Sequence, residues 1–217
     1  MAARRGITLY HSPASRAFIT YWMLEELGVP FRVETVDIRK GQQKSPAYLK
    51  LNPSGKVPTL TDGKVVVSET AAICLYLADR YSYGALAPKL EAPARGPYLQ
   101  WMVYATAVLE PARSLHGAAV PTPPGGWGPG WQPLPQVLDV LQAALKDRDY
   151  LLGDRFSTAD VMLGATLSMG LLTKEIPEVP VLADYNQRLA RRPAYNRAAD
   201  ATWPPDLFAR DVLETTS

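Results

Sequence analysis

The chain has 217 residues, 47% of them hydrophobic, which is enough for one large core or two small ones. Its 23 basic and 21 acidic side chains give a formal charge of +2 and are mixed along the sequence, so nucleic acid is not an expected partner. A single cysteine, Cys74, excludes disulfide frameworks and Cys-x-x-Cys redox chemistry, and two histidines without further ligands at suitable spacing predict no metal site.

In chain order, the first six residues lead into a four-residue strand, 7–10, with no signal-peptide core and no run long enough to span a bilayer; a cytoplasmic location is expected. A helix follows over 16–27, with Ile19, Met23 and Leu27 on one stripe and Gly28 and Pro30 ending it. The branched residues Val33, Thr35, Val36 and Ile38 predict a strand over 31–38, and a loop comes next. Segments 59–61 and 65–67 flank Asp62-Gly63, a hairpin signal. The next helix carries Ile73, Leu77 and Tyr81 at four-residue spacing. This alternation predicts a small α/β domain over 1–83.

Breakers Gly84, Pro88, Pro93, Gly96 and Pro97 predict a linker over 84–97. No strand pattern recurs beyond it. Helices are expected over 98–109, 137–146, 159–172 and 181–191, so 98–217 reads as an all-helical domain. Ser157 to Asp160 has the spacing of a capping box, with Phe156 and Val161 placed for a hydrophobic staple. Segment 121–135 holds six prolines and four glycines around Trp127 and Trp131 and cannot be an ordinary helix; it reads as a surface excursion, or a lid or contact surface using the two indoles.

Two segments carry chemistry. In Asn52-Pro53-Ser54-Gly55-Lys56-Val57-Pro58-Thr59-Leu60, the Val57-Pro58 step is a candidate cis peptide that would leave the main chain of Val57 open to an extended ligand. Glu69-Thr70 stands where a helix begins, so that unpaired N–H groups face any carboxylate placed there. The pair suits an amino-acid head group, Thr70 for the carboxylate and Glu69 for the ammonium. Together they fit a tripeptide thiol. A free thiol has a pKa of ~8.5, and lowering it by about two pH units takes a hydroxyl donor near a helix N-terminus. The turn Tyr10-His11-Ser12-Pro13-Ala14-Ser15-Arg16 supplies three: Ser15 nearest the helix, Ser12 in the turn and Tyr10 ending the strand. Lys56, Arg39, Lys40 and Lys44 are candidate cations for a far carboxylate, and Gln43 a candidate neutral donor.

Nearly the whole chain resembles the cytosolic glutathione S-transferases. The resemblance is carried by Leu9 to Arg16 with Trp22 to Pro30, by Asn52 to Leu60, by Ser68-Glu69-Thr70 through Asp79, and by Phe156-Ser157-Thr158-Ala159-Asp160. It implies a bacterial or fungal-like member with a thioredoxin-like N-terminal domain that binds glutathione, an all-α C-terminal domain that supplies the second-substrate pocket, and a homodimer. Its chemistry would be detoxification: thiolate attack on a hydrophobic electrophile, or on a peroxide oxygen. Carried over, Val57 is the backbone partner of the cysteinyl unit beside cis Pro58, Glu69 and Thr70 hold the γ-glutamyl head, and Gln43 and Lys56 hold the glycyl end. Tyr104 and Val108 would face the electrophile. Serine-type members match at Ser15, whereas tyrosine-type members match at Tyr10. With no cysteine in this turn, mixed-disulfide chemistry is not expected. A non-catalytic dimerisation or regulatory module on the same fold is the alternative.

Overall fold

The computed structural model describes residues 6–120 and 132–203. Four strands form one mixed sheet in the order β2-β1-β3-β4: β1 Ile7–His11, β2 Phe31–Thr35, β3 Thr59–Asp62 and β4 Val65–Ser68. Parallel strands β1 and β2 need a crossover, and helix α1, Ala17–Leu27, supplies it. β3 pairs antiparallel with β1 and with β4, and the β3–β4 turn uses Gly63 at φ 62°. The sequence reads β2 as far as residue 38, but it ends at Thr35. The register explains this: Thr35 lies opposite His11, the last residue of β1, and no ladder continues beyond it. Val36 gives one more N–H to the His11 carbonyl at 2.7 Å, after which Asp37 Oδ1 accepts the N–H groups of Arg39 and Lys40 and turns the chain.

The loop expected between β2 and β3 contains a 3-10 turn, Gln42–Lys44, and helix α2, Pro46–Leu51. Ser45 caps α2 by accepting the Tyr48 N–H at 3.3 Å, and Pro46 occupies the first turn, where its missing N–H is no loss. Six residues are too few to show a helical period. The sequence therefore reads this stretch as a loop.

Helix α3, Thr70–Tyr81, is tied to β3 by the Tyr76 hydroxyl, which donates to Asp62 at 2.8 Å. Helix α1 departs from the single expected stripe. Ala17, Phe18, Ile19, Thr20, Trp22, Met23 and Leu24 are all buried, because helix α9, Pro193–Thr202, packs along α1 in addition to the sheet. Tyr195 of α9 meets Phe18 and Trp22 edge-on at 5.4 and 5.0 Å. At the far end of α1 the Arg192 guanidinium takes both oxygens of Glu26 at 2.6 and 2.8 Å, and Arg197 takes Glu25 at 2.6 Å. By packing, the chain divides into two units, one of the described residues up to Leu77 together with those from Arg192, the other from Ala78 to Arg191.

The second unit is helical: α4 Arg95–Tyr104, a π-helical turn Ala105–Leu109, α5 Glu110–Gly117, α6 Leu134–Leu145, α7 Thr158–Leu172 and α8 Pro180–Ala190. Helix α4 starts inside the breaker-rich stretch, where Arg95 makes a bidentate bond to Asp79 at 2.7 and 2.8 Å and Pro97 falls in the first turn. The helix expected over 98–109 does not stop but runs on through the π-turn into α5. Pro111, which offers no N–H to the carbonyl four residues back, stands just beyond that distortion. Helix α7 is buried almost throughout, and its capping box is formed. The Asp160 carboxylate accepts from the Ser157 N–H and hydroxyl, the Leu151 N–H and the Tyr185 hydroxyl, all at 2.8–2.9 Å. Of the Pro/Gly-rich segment, residues 121–131 lie outside the described residues, Trp127 and Trp131 among them. Among the described residues no helix is long and apolar enough to cross a membrane.

Two predictions concern stability. Asp160→Ala strands four buried donors at once and should lower the unfolding free energy by about 3 kcal/mol, read from urea denaturation. His11 is buried, its Nε2 has no hydrogen-bond partner among the described residues, and burial lowers its pKa to about 4. The folded protein therefore stays neutral there while the unfolded chain, with an ordinary histidine pKa of about 6.5, takes up a proton. Stability should fall as pH drops from about 6.5 towards about 4, and His11→Gln should flatten that part of the profile.

Candidate active site

The strand register assembles the site. Tyr10 lies opposite Thr59 across β1 and β3, and Thr59 lies opposite Ser68 across β3 and β4. The turn after β1, the loop before β3 and the start of α3 after β4 therefore leave the sheet at the same end. Ser12 and Ser15, Val57 and Pro58, and Glu69 and Thr70 are distant in sequence, and the three antiparallel strands gather them there.

The loop before β3 is held from beneath. Asn52, 2% exposed, donates from Nδ2 to the Lys56 carbonyl at 2.9 Å and to Thr59 Oγ1 at 3.0 Å, while its Oδ1 accepts the Ser54 N–H at 3.1 Å. Tyr48 of α2 donates its hydroxyl to the same Lys56 carbonyl at 2.7 Å and lies 2.8 Å from Thr59 Oγ1. With the tyrosine proton given to Lys56, the threonine hydroxyl is the donor of the second bond. The Val57-Pro58 bond is cis. Val57 is half-buried, and its main-chain polar groups have no hydrogen-bond partner among the described residues. Gly55, at φ 58°, passes so close to Lys44 and the Gln43 carbonyl that an added Cβ would lie 2.6 Å from Lys44 Nζ.

Glu69 adopts φ 69°, in the left-handed region, and its carbonyl accepts the Ile73 N–H at 2.9 Å, so it caps α3 with Thr70 as the first helical residue. Its side chain is exposed and Thr70 is half-buried. The first N–H groups of a 12-residue helix thus lie beside one exposed carboxylate and one hydroxyl, an arrangement able to receive a zwitterionic head group.

The three candidate hydroxyls differ. Ser15, half-buried, donates to the Ser12 carbonyl at 2.7 Å and accepts the Ala17 N–H at 3.2 Å. Ser12 is 4% exposed. Tyr10 turns towards α2: its ring meets Tyr48 edge-on at 6.0 Å and lines a cavity of about 580 Å³ with Glu34, Val36, Gln42 and Leu51. The two serines thus share the turn, and Tyr10 stands apart from it.

Of the polar residues in the preceding loop, Gln43 donates to the Ile38 carbonyl at 3.3 Å, and its buried Oε1 has no partner among the described residues. Lys40 pairs with Asp37 at 3.4 Å, Lys44 donates to the Ser54 carbonyl at 3.1 Å, and Arg39 and Lys56 are exposed. Tyr104 closes α4 in the second unit, half-buried with its ring edge-on to Trp101 at 5.3 Å, and Val108 lies in the π-turn that follows. Cys74 is fully buried, and burial pushes its thiol far above the ordinary value, which leaves it unreactive. The sequence places Asn52 and Thr59 within the motif but shows no task for them, and Tyr48, a lone tyrosine in a short segment, carries no signal of the loop it supports.

The family model for the glutathione S-transferase N-terminal domain matches residues 15–80, and that for the C-terminal domain matches residues 110–169. Glutathione S-transferase F10 of Arabidopsis thaliana is 35% identical over 71% of this chain and 76% of its own length. Glutathione S-transferase 2 of Schizosaccharomyces pombe is 30% identical over 86% of this chain and 92% of its own. Among solved structures, the theta-class enzyme of Xanthomonas axonopodis pv. citri with glutathione bound superposes with a TM-score of 0.72 at 31% identity, covering 89% of this chain and 97% of that one.

Asn52→Ala removes three hydrogen bonds beneath the loop and should destabilise the protein by about 2 kcal/mol in urea unfolding. The same substitution should weaken binding of a peptide thiol, measured by calorimetry, although Asn52 itself is buried beneath the loop.

Proposed function

The chain belongs to the glutathione S-transferase family, and from that premise we propose that it binds glutathione, stabilises the thiolate and adds the sulfur to a hydrophobic electrophile. The observation that carries this reading is the register through Thr59, which sets two serine hydroxyls, the open backbone of Val57 and the Glu69-Thr70 helix start at one end of one sheet. In the proposed pose Val57 pairs with the cysteinyl backbone beside Pro58. Thr70 and the first N–H groups of α3 take the γ-glutamyl carboxylate, Glu69 takes its ammonium, and Gln43 and Lys56 serve the glycyl end. Tyr104 and Val108 contribute to the electrophile pocket. By chain order the functional division is a glutathione-binding domain over 1–83, a linker over 84–97 and a helical domain over 98–217, even though α9 packs with the first of them.

Ser15 is our first choice for the hydroxyl that faces sulfur, which makes this a serine-type member. It is accessible where Ser12 is buried, and it precedes α1, whose N-terminal partial positive charge favours a thiolate. To serve the sulfur its proton turns from the Ser12 carbonyl to the ligand, and its oxygen keeps the Ala17 N–H. Tyr10 faces α2 and is the weakest of the three. Binding both substrates adds proximity to the lowered pKa. We further take the protein to act as a cytoplasmic, homodimeric detoxifying enzyme, with organic peroxides as a second substrate class.

An ultraviolet titration of the thiolate of bound glutathione against pH tests binding and activation together. A thiolate band should persist well below the free thiol value of ~8.5. Ser15→Ala should lose most of that band and at least tenfold in kcat at neutral pH, whereas Thr70→Ala should raise the glutathione Kd and leave the midpoint of the band in place. If Ser15→Ala, Ser12→Ala and Tyr10→Phe all turn over like the parent, activation by a hydroxyl is wrong.

A further inference from the structure

The activating turn is not self-supporting. Ala14, between Ser12 and Ser15, holds φ 53°, a left-handed conformation that a residue with a Cβ rarely adopts without outside help. That help comes from the other end of the chain. The Ala14 N–H donates to the carbonyl of Thr202, the last residue of α9, at 3.1 Å. Thr202 is 2% exposed and is locked in turn by its own hydroxyl, which donates to the Ala198 carbonyl at 2.6 Å. One residue on, the Trp203 N–H donates to the Ala199 carbonyl at 2.9 Å, and its indole packs against Phe18 at 5.4 Å between centroids. Phe18 lies in the first turn of α1, three residues after Ser15. Helix α9 therefore lies against α1, held to its far end by Arg192, at the helix start, on Glu26 and by Arg197, in its middle, on Glu25, and it meets the turn at its last residue.

Resting on the reading above, we propose that the α9 terminus, Thr202 with Trp203, is a positioning device for thiol activation: it fixes Ala14 in its left-handed state and so sets the direction of the serine hydroxyls on either side. Neither residue touches glutathione in this scheme. Both act through the turn. The head-group site at Glu69-Thr70 and the backbone site at Val57 hang on β3 and β4 and do not use this clamp. Loss of the clamp should therefore separate two quantities that a general loss of structure would move together.

The test compares the full-length protein with Trp203→Ala and Trp203→Phe. In Trp203→Ala the pH midpoint of kcat/KM, and of the thiolate band of bound glutathione, should rise by about one pH unit, which from a midpoint of about 6.5 is a roughly threefold loss of thiolate at neutral pH, with the glutathione Kd changed less than about twofold. Trp203→Phe, which keeps a ring against Phe18, should restore the midpoint. A folded Trp203→Ala protein with the parent's midpoint overturns the proposal, and so does a parallel loss of affinity and activation. If the parent protein itself binds no glutathione, the functional reading fails first, and the outcomes stay distinct. Should Trp203→Ala not fold, amide hydrogen exchange in the parent decides: Ala14 should exchange as slowly as the α1 core, and exchange at the rate of an open loop overturns the clamp.

Discussion

The arrangement of the first unit depends on one buried residue, Thr59. Its backbone fixes the register of β3 against both Tyr10 and Ser68, and its hydroxyl ties that strand to Tyr48 and Asn52, which hold the Lys56 carbonyl from below. A slip of one residue at this strand would turn every side chain to the opposite face and carry the 52–58 loop away from Glu69-Thr70. Register is well specified here because Leu9 and Leu60, the next pair along, are both fully buried. Core packing and the gathering of these segments at one end of the sheet are thus set by the same ladder.

Around that ladder the hydrophobic and polar tasks are divided by the pleat. On one face Leu9 and Leu60 enter the core; on the other Thr59 and Tyr10 face α2, where Tyr48 meets both. This alternation also sorts the hydroxyls. A tyrosine at the end of β1 shares the strand's orientation and follows it to the α2 side, whereas serines in the turn beyond are released from the pleat. The chemistry open to the turn is then governed by how firmly its unusual backbone is held, and the bond from Ala14 to Thr202 makes that a property of α9 as much as of the turn.

The second unit is built on a different principle. Asp160 satisfies four donors from three segments, so the start of α7, the 151 loop and α8 are joined at one buried carboxylate. A buried charge is tolerable when it is surrounded by donors in this way, and removing the acceptor is far worse than never having had one. The π-turn Ala105–Leu109, just ahead of Pro111, distorts the helical path that carries Tyr104 and Val108.

By itself the sequence determined whatever rests on near neighbours: the order of strands and helices, the Asp62-Gly63 hairpin, the capping box at Ser157 and Asp160, and the motif from Asn52 to Leu60 with Glu69-Thr70. Each is encoded within a few residues by turn chemistry, helical period or cap spacing, which one chain displays directly. Only the tertiary structure decided that β2 stops at Thr35, that α2 forms at all, that Tyr10 meets Tyr48 of α2, and that α9 joins α1. Those outcomes depend on partners tens to well over a hundred residues away. The physical reason is the same in each case: a strand extends only as far as its neighbour, a six-residue helix needs a surface to lie on, and burial on a second side of α1 is invisible until α9 arrives to cover it.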